Sequence, residues 1–414
     1  MHRLMDLFRV QIFCWIGLLL ASQSLVAGDW PQILGPSRNG IAVEEQIANS
    51  WPKNGPSTVW MRNIGEGYAG VAVAGGSAVL FHRVGNDERV EAMDATSGQV
   101  VWKTDFPTSF DTTFNPDNGP RCTPIIHKGR VYVFGAQGGL RCLDLKTGQT
   151  IWSRETHEEF RAQEGYFGAG STPIIEEDKI IVNVGSRYEA GIVAFALESG
   201  KPAWKATSEL ASYSSPVAAT IDGVRHVIFI TRSKTISLDP KTGKVRFEFS
   251  FYQRGPTVNA ASPLVLGNKL FVSSHYGVGA VFATIKKSNA ETVWKSDEIL
   301  SSHYMTPIAH QGFLYGIHGQ ERIDEPELRC FDPQTKKIGW RQPGFAYGSM
   351  IKADGRLIMM TTKGELILIK PDSTRYRELA RVLVLNNTTR ALPALSNGLI
   401  YIRDTNTLKC LDLK

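Results

Sequence analysis

Cysteine is nearly absent from this chain: five residues in 414, with no CxxC pair and no haem-attachment CxxCH. That excludes a disulfide scaffold and a cysteine-built zinc site. A dominant charge is missing too. Lys and Arg number 46 against 40 Asp and Glu, and the net +6 is dispersed without a basic run. A dilute excess of this kind argues for solubility and against nucleic acid as a partner. There is no Walker phrase, no GxSxG elbow and no HExxH. What the chain has instead is glycine (39), proline (20) and tryptophan (nine). The first two are too frequent for a long-helix protein. At 42% hydrophobic and 21% charged, the chain has ample material for a core. Its length suggests two or three domains unless it repeats.

The N-terminus reads as a targeting segment. Arg3 and Arg9 precede residues 10–21, apolar except for Gln11, and Ser22-Gln23-Ser24 leads to Leu25-Val26-Ala27. This is the pattern of a secretory signal peptide cleaved near Ala27. The apolar stretch is shorter than the roughly 20 residues a membrane-spanning helix needs. Cys14 sits inside that stretch, so it is not a lipid-attachment cysteine. Removal of residues 1–27 leaves +5, and export to a bacterial periplasm or beyond is expected. Cys142, Cys330 and Cys410 recur in equivalent CLD or CFD phrases, which places them far apart and unpaired. They and Cys122 are expected as small buried hydrophobes.

One phrase recurs. Ala92-Met-Asp94-Ala-Thr-Ser-Gly98-Gln-Val-Val-Trp102 returns as Cys142-Leu-Asp144-Leu-Lys-Thr-Gly148-Gln-Thr-Ile-Trp152. Further copies end at Trp204, Phe247, Trp294 and Trp340, at intervals of 43 to 52 residues. A period in that range indicates a repeat architecture. The second unit reads as four short strands, over residues 123–127, 130–134, 140–144 and 149–153, with turns at Lys128-Gly129, Gln137-Gly138-Gly139 and Lys146-Thr147-Gly148. Four antiparallel strands repeated in this way make a β-propeller blade. First-strand entries number eight. The eighth unit stops at Lys414, where its last turn and strand should begin, and the missing piece stands at Asn54-Gly55-Pro-Ser-Thr-Val-Trp60. The expected fold is all-β: an eight-bladed propeller of four-stranded antiparallel blades, the last closed by an N-terminal strand. Its parts are a signal segment (1–27), an arm with the ring-closing strand (28–60) and the propeller proper (61–414).

These phrases, with Asp29-Trp30-Pro31-Gln32, Gly35-Pro36 and Arg38-Asn-Gly40, resemble the pyrroloquinoline-quinone (PQQ)-like propeller repeat of secreted bacterial proteins. The resemblance covers about residues 29–414 and extends to the propeller scaffold of the outer-membrane β-barrel assembly machine. It implies a ligand face formed by the loops from fourth to first strands and from second to third strands. Two of these loops are long, residues 105–120 and 153–170, and the loop at 319–327 is extended and charged. Insertions on one face often mark a binding surface. The candidates there are Asp117, Arg121, Glu164, Tyr166, Tyr213, Asn259, His275, His303, Tyr304, His318, Tyr347 and Arg390. Phe110, Phe114 and Phe167 accompany them.

The other motifs carry less. His275, His303 and His318 lack any metal-ligand spacing, so hydrogen-bonded loop histidines are expected. Gly65-Glu-Gly67-Tyr-Ala-Gly70 matches GxGxxG, yet no helix follows to hold a pyrophosphate. Asp94, Asp144, Asp239 and Asp332 repeat at one turn and read as turn caps.

Two functions follow from the resemblance. One is a non-catalytic exported propeller, without cofactor or metal, binding a protein or cell-envelope ligand through its loop face. The alternative is a quinoprotein dehydrogenase holding PQQ and Ca²⁺ on the axis and oxidising an alcohol or sugar. Asp117, Asn118, Glu164 and Asn259 could offer oxygen ligands to such a calcium ion. The vicinal cysteine pair common in those enzymes is absent.

Overall fold

The computed structural model describes residues 28–114, 117–255 and 257–414; the segment expected to be a signal peptide lies outside them. Among the described residues, apart from one short helix, Thr156–Phe160, the regular structure is antiparallel: eight sheets of four strands. Blade 1 runs through Ala72–Ala74, Ser77–Val84, Asp87–Asp94 and Val100–Pro107, each strand bonded to the next. Blades 2 to 7 repeat that order. The eighth sheet breaks it. Ala394–Ser396, Leu399–Arg403 and Thr407–Asp412 are followed by Ser57–Asn63, whose register runs from Ser57 opposite Asp412 to Asn63 opposite Thr407. The ring is an eight-bladed propeller closed by its N-terminal strand, which covers the edge that Thr407–Asp412 would otherwise present and completes that blade to four strands like the others.

The repeated phrase has a mechanical meaning. Each tryptophan sits on the outermost strand of its blade and donates its indole N–H to a carbonyl in the next blade. Trp60 reaches Ala95 (3.0 Å), Trp102 reaches Leu145 (2.7 Å), Trp152 reaches Leu197 (2.8 Å) and Trp204 reaches Pro240 (3.0 Å). Trp294 reaches Pro333 (2.8 Å) and Trp340 reaches Asp372 (2.7 Å). A buried indole thus packs a large apolar face and satisfies its one donor at once. The glycine of the phrase is the other half of this staple. Gly148 holds φ +72°, and a Cβ there would lie 2.5 Å from the Trp102 ring. Gly98, Gly200 and Gly243 stand in the same way against Trp60, Trp152 and Trp204. A β-bulge precedes each tryptophan and turns it to the neighbour, as the register shift between Thr58 and Trp60 shows.

The turn face is built from self-contained caps. Asp144 accepts the N–H groups of Lys146 (3.0 Å) and Thr147 (2.8 Å), and Asp94 treats Thr96 (3.1 Å) and Ser97 (2.8 Å) alike. These bonds hold both carboxyls below their usual range. Asp239 and Asp332 make the same bonds. Cys122, Cys142, Cys330 and Cys410 are buried and unpaired, with burial pushing each thiol up, that of Cys142 to about 11.

The arm, residues 29–50, fills the turn-face end of the central channel. Trp30 exchanges backbone bonds with Val73 of blade 1, and Pro31 accepts the Ile126 N–H of blade 2. Gly40 and Ala42 bond Lys352 of blade 7, while the Glu45 carboxylate takes the N–H groups of Asn397 (2.7 Å) and Gly398 (2.6 Å) in blade 8. Arg38 is 3% exposed. Its guanidinium donates to the carbonyls of Pro173 and Pro216 and to Gln32 Oε1. Burial lowers its pKa to about 9.

Candidate functional site

Above the arm, at the loop face, the channel holds a cup of about 380 Å³. Ile33 of the arm lines it from below. Its walls carry Tyr68, Phe114, Phe167, Tyr213, Tyr276 and Tyr304, three guanidinium groups, Arg121, Arg322 and Arg390, and one carboxylate, Glu321. First strands converge on the axis, so residues just before them face inward. Arg121, Tyr213, His303, Tyr304 and Arg390 all arrive this way.

The three long loops meet at the rim. Thr112 in the first donates to the Tyr166 carbonyl in the second (2.6 Å), and the Phe114 ring lies edge-on to Tyr166 at 5.1 Å. The loop at 319–327 brings Glu321, which accepts from Arg390 Nε (2.9 Å) and from the Tyr304 hydroxyl (3.2 Å). Arg390 also donates to the Tyr68 hydroxyl (3.3 Å) and lies over its ring at 5.2 Å. Arg121 lies over the same ring at 5.6 Å and over Phe167 at 5.8 Å. Its terminal nitrogens donate to the carbonyls of Gly119 (2.8 Å) and Asp117 (2.9 Å), so the charge is positioned without a carboxylate on it. Cationic groups stacked on tyrosine faces are partly desolvated and pre-oriented.

His303 shares a hydrogen bond with the Tyr276 hydroxyl (3.0 Å). Burial, with the His275 and Arg390 charges, brings its pKa to about 4. It is neutral near pH 7 and a poor base there. Burial also pushes the Tyr304 phenol well up. Tyr347 is fully buried behind these residues, its hydroxyl accepting the Tyr304 N–H (2.9 Å).

The remaining candidates are elsewhere. The Asp117 carboxylate accepts the N–H groups of Gly67 (2.9 Å) and Gly119 (2.9 Å) and shapes the loop. Asn259 turns into the blade and donates to the Thr231 carbonyl (2.9 Å). Glu164 and Tyr166 line a crevice beside the cup. His275 pairs with Asp324 (2.8 Å), and with His318 it lines a separate cleft. His318 accepts the Ser301 N–H (3.0 Å), and burial brings its pKa to about 4. Among the described residues no group of three His, Cys, Asp or Glu side chains is placed to hold a metal.

Sequence reasoning missed Tyr68, Tyr276 and Glu321 as lining residues. Each had a signal: Tyr68 lies inside the glycine phrase, Tyr276 follows His275, and Glu321 lies in the extended loop.

The oxygen donors do not suit a calcium ion on the axis. Glu321 is neutralised by Arg390, the Asp117 carboxylate is engaged by backbone N–H groups, Asn259 is buried in the blade and does not line the cup, and three arginines do. A hard divalent cation needs several free oxygen ligands.

The profile of the family described as "Outer membrane protein assembly factor BamB" matches residues 86–342, more than half of the chain. The chain belongs to that family. Curated relatives align over shorter stretches. BamB of Salmonella typhimurium is 33% identical over 94 residues, 22% of this chain and 22% of its own. Quinohemoprotein alcohol dehydrogenase ADH-IIG of Pseudomonas putida is 29% identical over 124 residues, 28% of this chain and 16% of its own. The matched segments thus span about a fifth of those relatives. The crystal structure of BamB from Moraxella catarrhalis superposes with a TM-score of 0.63 at 14% identity, covering 86% of this chain and 99% of that one. That last likeness is one of fold.

Proposed function

We propose that this chain is an exported, non-catalytic propeller of the bacterial cell envelope that binds a protein partner through its loop face. The observation that carries the reading is the chemistry of the cup. Aromatic rings and pre-oriented guanidinium groups face inward, while the lining carboxylate is already paired and the lining imidazole is held neutral. Rings and arginines are the side chains that dominate protein recognition. The family match, to an outer membrane protein assembly factor, favours a protein partner over a small substrate.

Photo-crosslinking in cells tests this. A crosslinking residue at Phe114 or Arg322, both at the rim, is expected to trap one protein adduct, and one at Lys146 on the turn face none. Equal yields from both faces would overturn the reading. The alignment to a quinohemoprotein alcohol dehydrogenase supports a second reading, an alcohol-oxidising quinoprotein. Purified protein reconstituted with PQQ and Ca²⁺ separates the two. Stoichiometric binding with dye-linked alcohol oxidation establishes the enzyme and removes the scaffold.

A further inference from the structure

Beside the cup, over the loop end of blade 3, lies a crevice of about 480 Å³ that shares Tyr213 and Gly170 with it. Its deep wall contains Asn183, on the strand Lys179–Ser186 and only 2% exposed. Neither its amide nitrogen nor its amide oxygen has a hydrogen-bond partner. Around it Val182 and Val184 are fully buried core, so an apolar residue would fit the strand pattern better. Nδ1 of His157, lining the same crevice, is likewise buried without a partner. Buried polar groups are normally satisfied, and each exception calls for a reason.

The outer part of the crevice is cationic. Arg187 and Arg232 line it, and among the described residues neither is paired with a carboxylate. Glu164 is also present but exposed, accepting from Gln137 (3.3 Å). The Arg232 guanidinium lies over the Tyr166 ring at 5.2 Å, which holds it in place and covers that face of the ring.

We propose that this crevice is a peptide site that takes a backbone amide at Asn183 and a carboxylate at Arg187 and Arg232, as a free peptide C-terminus supplies. A side-chain amide offers one donor and one acceptor side by side, the complement of a peptide group. Paired guanidinium groups are the natural partners of a carboxylate. A sugar would need an open aromatic face for stacking, and Arg232 occupies the Tyr166 face. This site deepens the protein-binding reading and rests on it, but is separate from the cup.

The test uses the mature full chain and a panel of short peptides with free or amidated C-termini, read by calorimetry. Free-acid peptides are expected to bind, with amidated ones at least tenfold weaker. Asn183→Leu is expected to weaken binding tenfold or more while raising Tm, because it removes a buried amide that has no partner in the free protein. Arg232→Gln should weaken the free-acid peptide and leave the amidated one unchanged. Equal binding of both peptide forms, a preference for oligosaccharide, no binding at millimolar peptide, or a lowered Tm for Asn183→Leu each overturns the site. A rim crosslink that persists in Asn183→Leu, with no peptide bound by the parent protein, would remove this site and leave the cup reading standing.

Discussion

The two ends of the channel both present arginine to the axis, and they treat it oppositely. At the turn-face end Arg38 is buried among carbonyl oxygens that consume its donors. At the loop-face end Arg121 and Arg390 lie on tyrosine faces that border open space. The same side chain is a fastener in one place and a probe in the other. What differs is enclosure: Arg38 is sealed on all sides, whereas Arg121, although two backbone carbonyls hold it, and Arg390, paired with Glu321, line an open cup. The turn face as a whole follows this rule, since its carboxylates are spent on its own N–H groups, while the loop face keeps charge and rings directed outward.

The sharpest way to break the contrast is Arg38→Ala. It should lower the unfolding free energy by about 3–5 kcal/mol in denaturant titrations, because it leaves buried carbonyls unpartnered and a void beneath the cup. A loss under 1 kcal/mol would mean that the arm is not a fastener.

Acid should next separate the loop-face histidines from the turn-face carboxyls. His303 and His318 have folded values of about 4 against 6.5 unfolded, so the unfolded chain binds protons first. Their stabilisation is complete above pH 6.5 and fades as pH falls towards 4, by on the order of 3 kcal/mol for His303 and by less for His318, which is more open to solvent. The turn-face carboxyls of Asp94 and Asp144, held low, give stability that is present above their unfolded value of 3.8 and lost only below it. Tm measured against pH should therefore fall first between 6.5 and 4, and His303→Gln should flatten that segment.

Gly148→Ala, which forces a Cβ against Trp102 at positive φ, should cost about 2 kcal/mol in the same titration. The smallest effect belongs to Arg390→Ala. Its loss leaves the mostly buried Glu321 carboxylate without its guanidinium and should cost about 1–2 kcal/mol, yet abolish the rim crosslink. Unchanged crosslinking would strip the loop-face arginine of its role.

Much of the ring was legible in the sequence because its contacts repeat. Trp102, Gly148 and Asp144 recur with the period of the blade, and the phrase divided between Gly55-Trp60 and Cys410 announced its own closure. The arm was legible as a motif but not as a path. The arm from Trp30 to Glu45 reaches seven different blades, each through a different contact, and a contact that does not recur leaves no period to read. The site was legible by halves for the same reason. Residues entering first strands, such as Arg121 and Tyr304, could be placed by register. Asn259 and Tyr347 share that register, yet local hydrogen bonds turn them inward, and Glu321 reaches the axis through a loop with no register at all.

The split eighth blade has a consequence for assembly in time. Its outer strand, residues 57–63, is synthesised early, and its partner, residues 407–412, comes some 350 residues later. Seven blades can form in order as they emerge, but until residue 412 is available the early strand has no edge to join. Until the two ends meet, the folding chain is therefore an open crescent with an unpaired strand at one end, the state most exposed to aggregation and to capture by chaperones. Its fate is decided by how quickly the two ends meet.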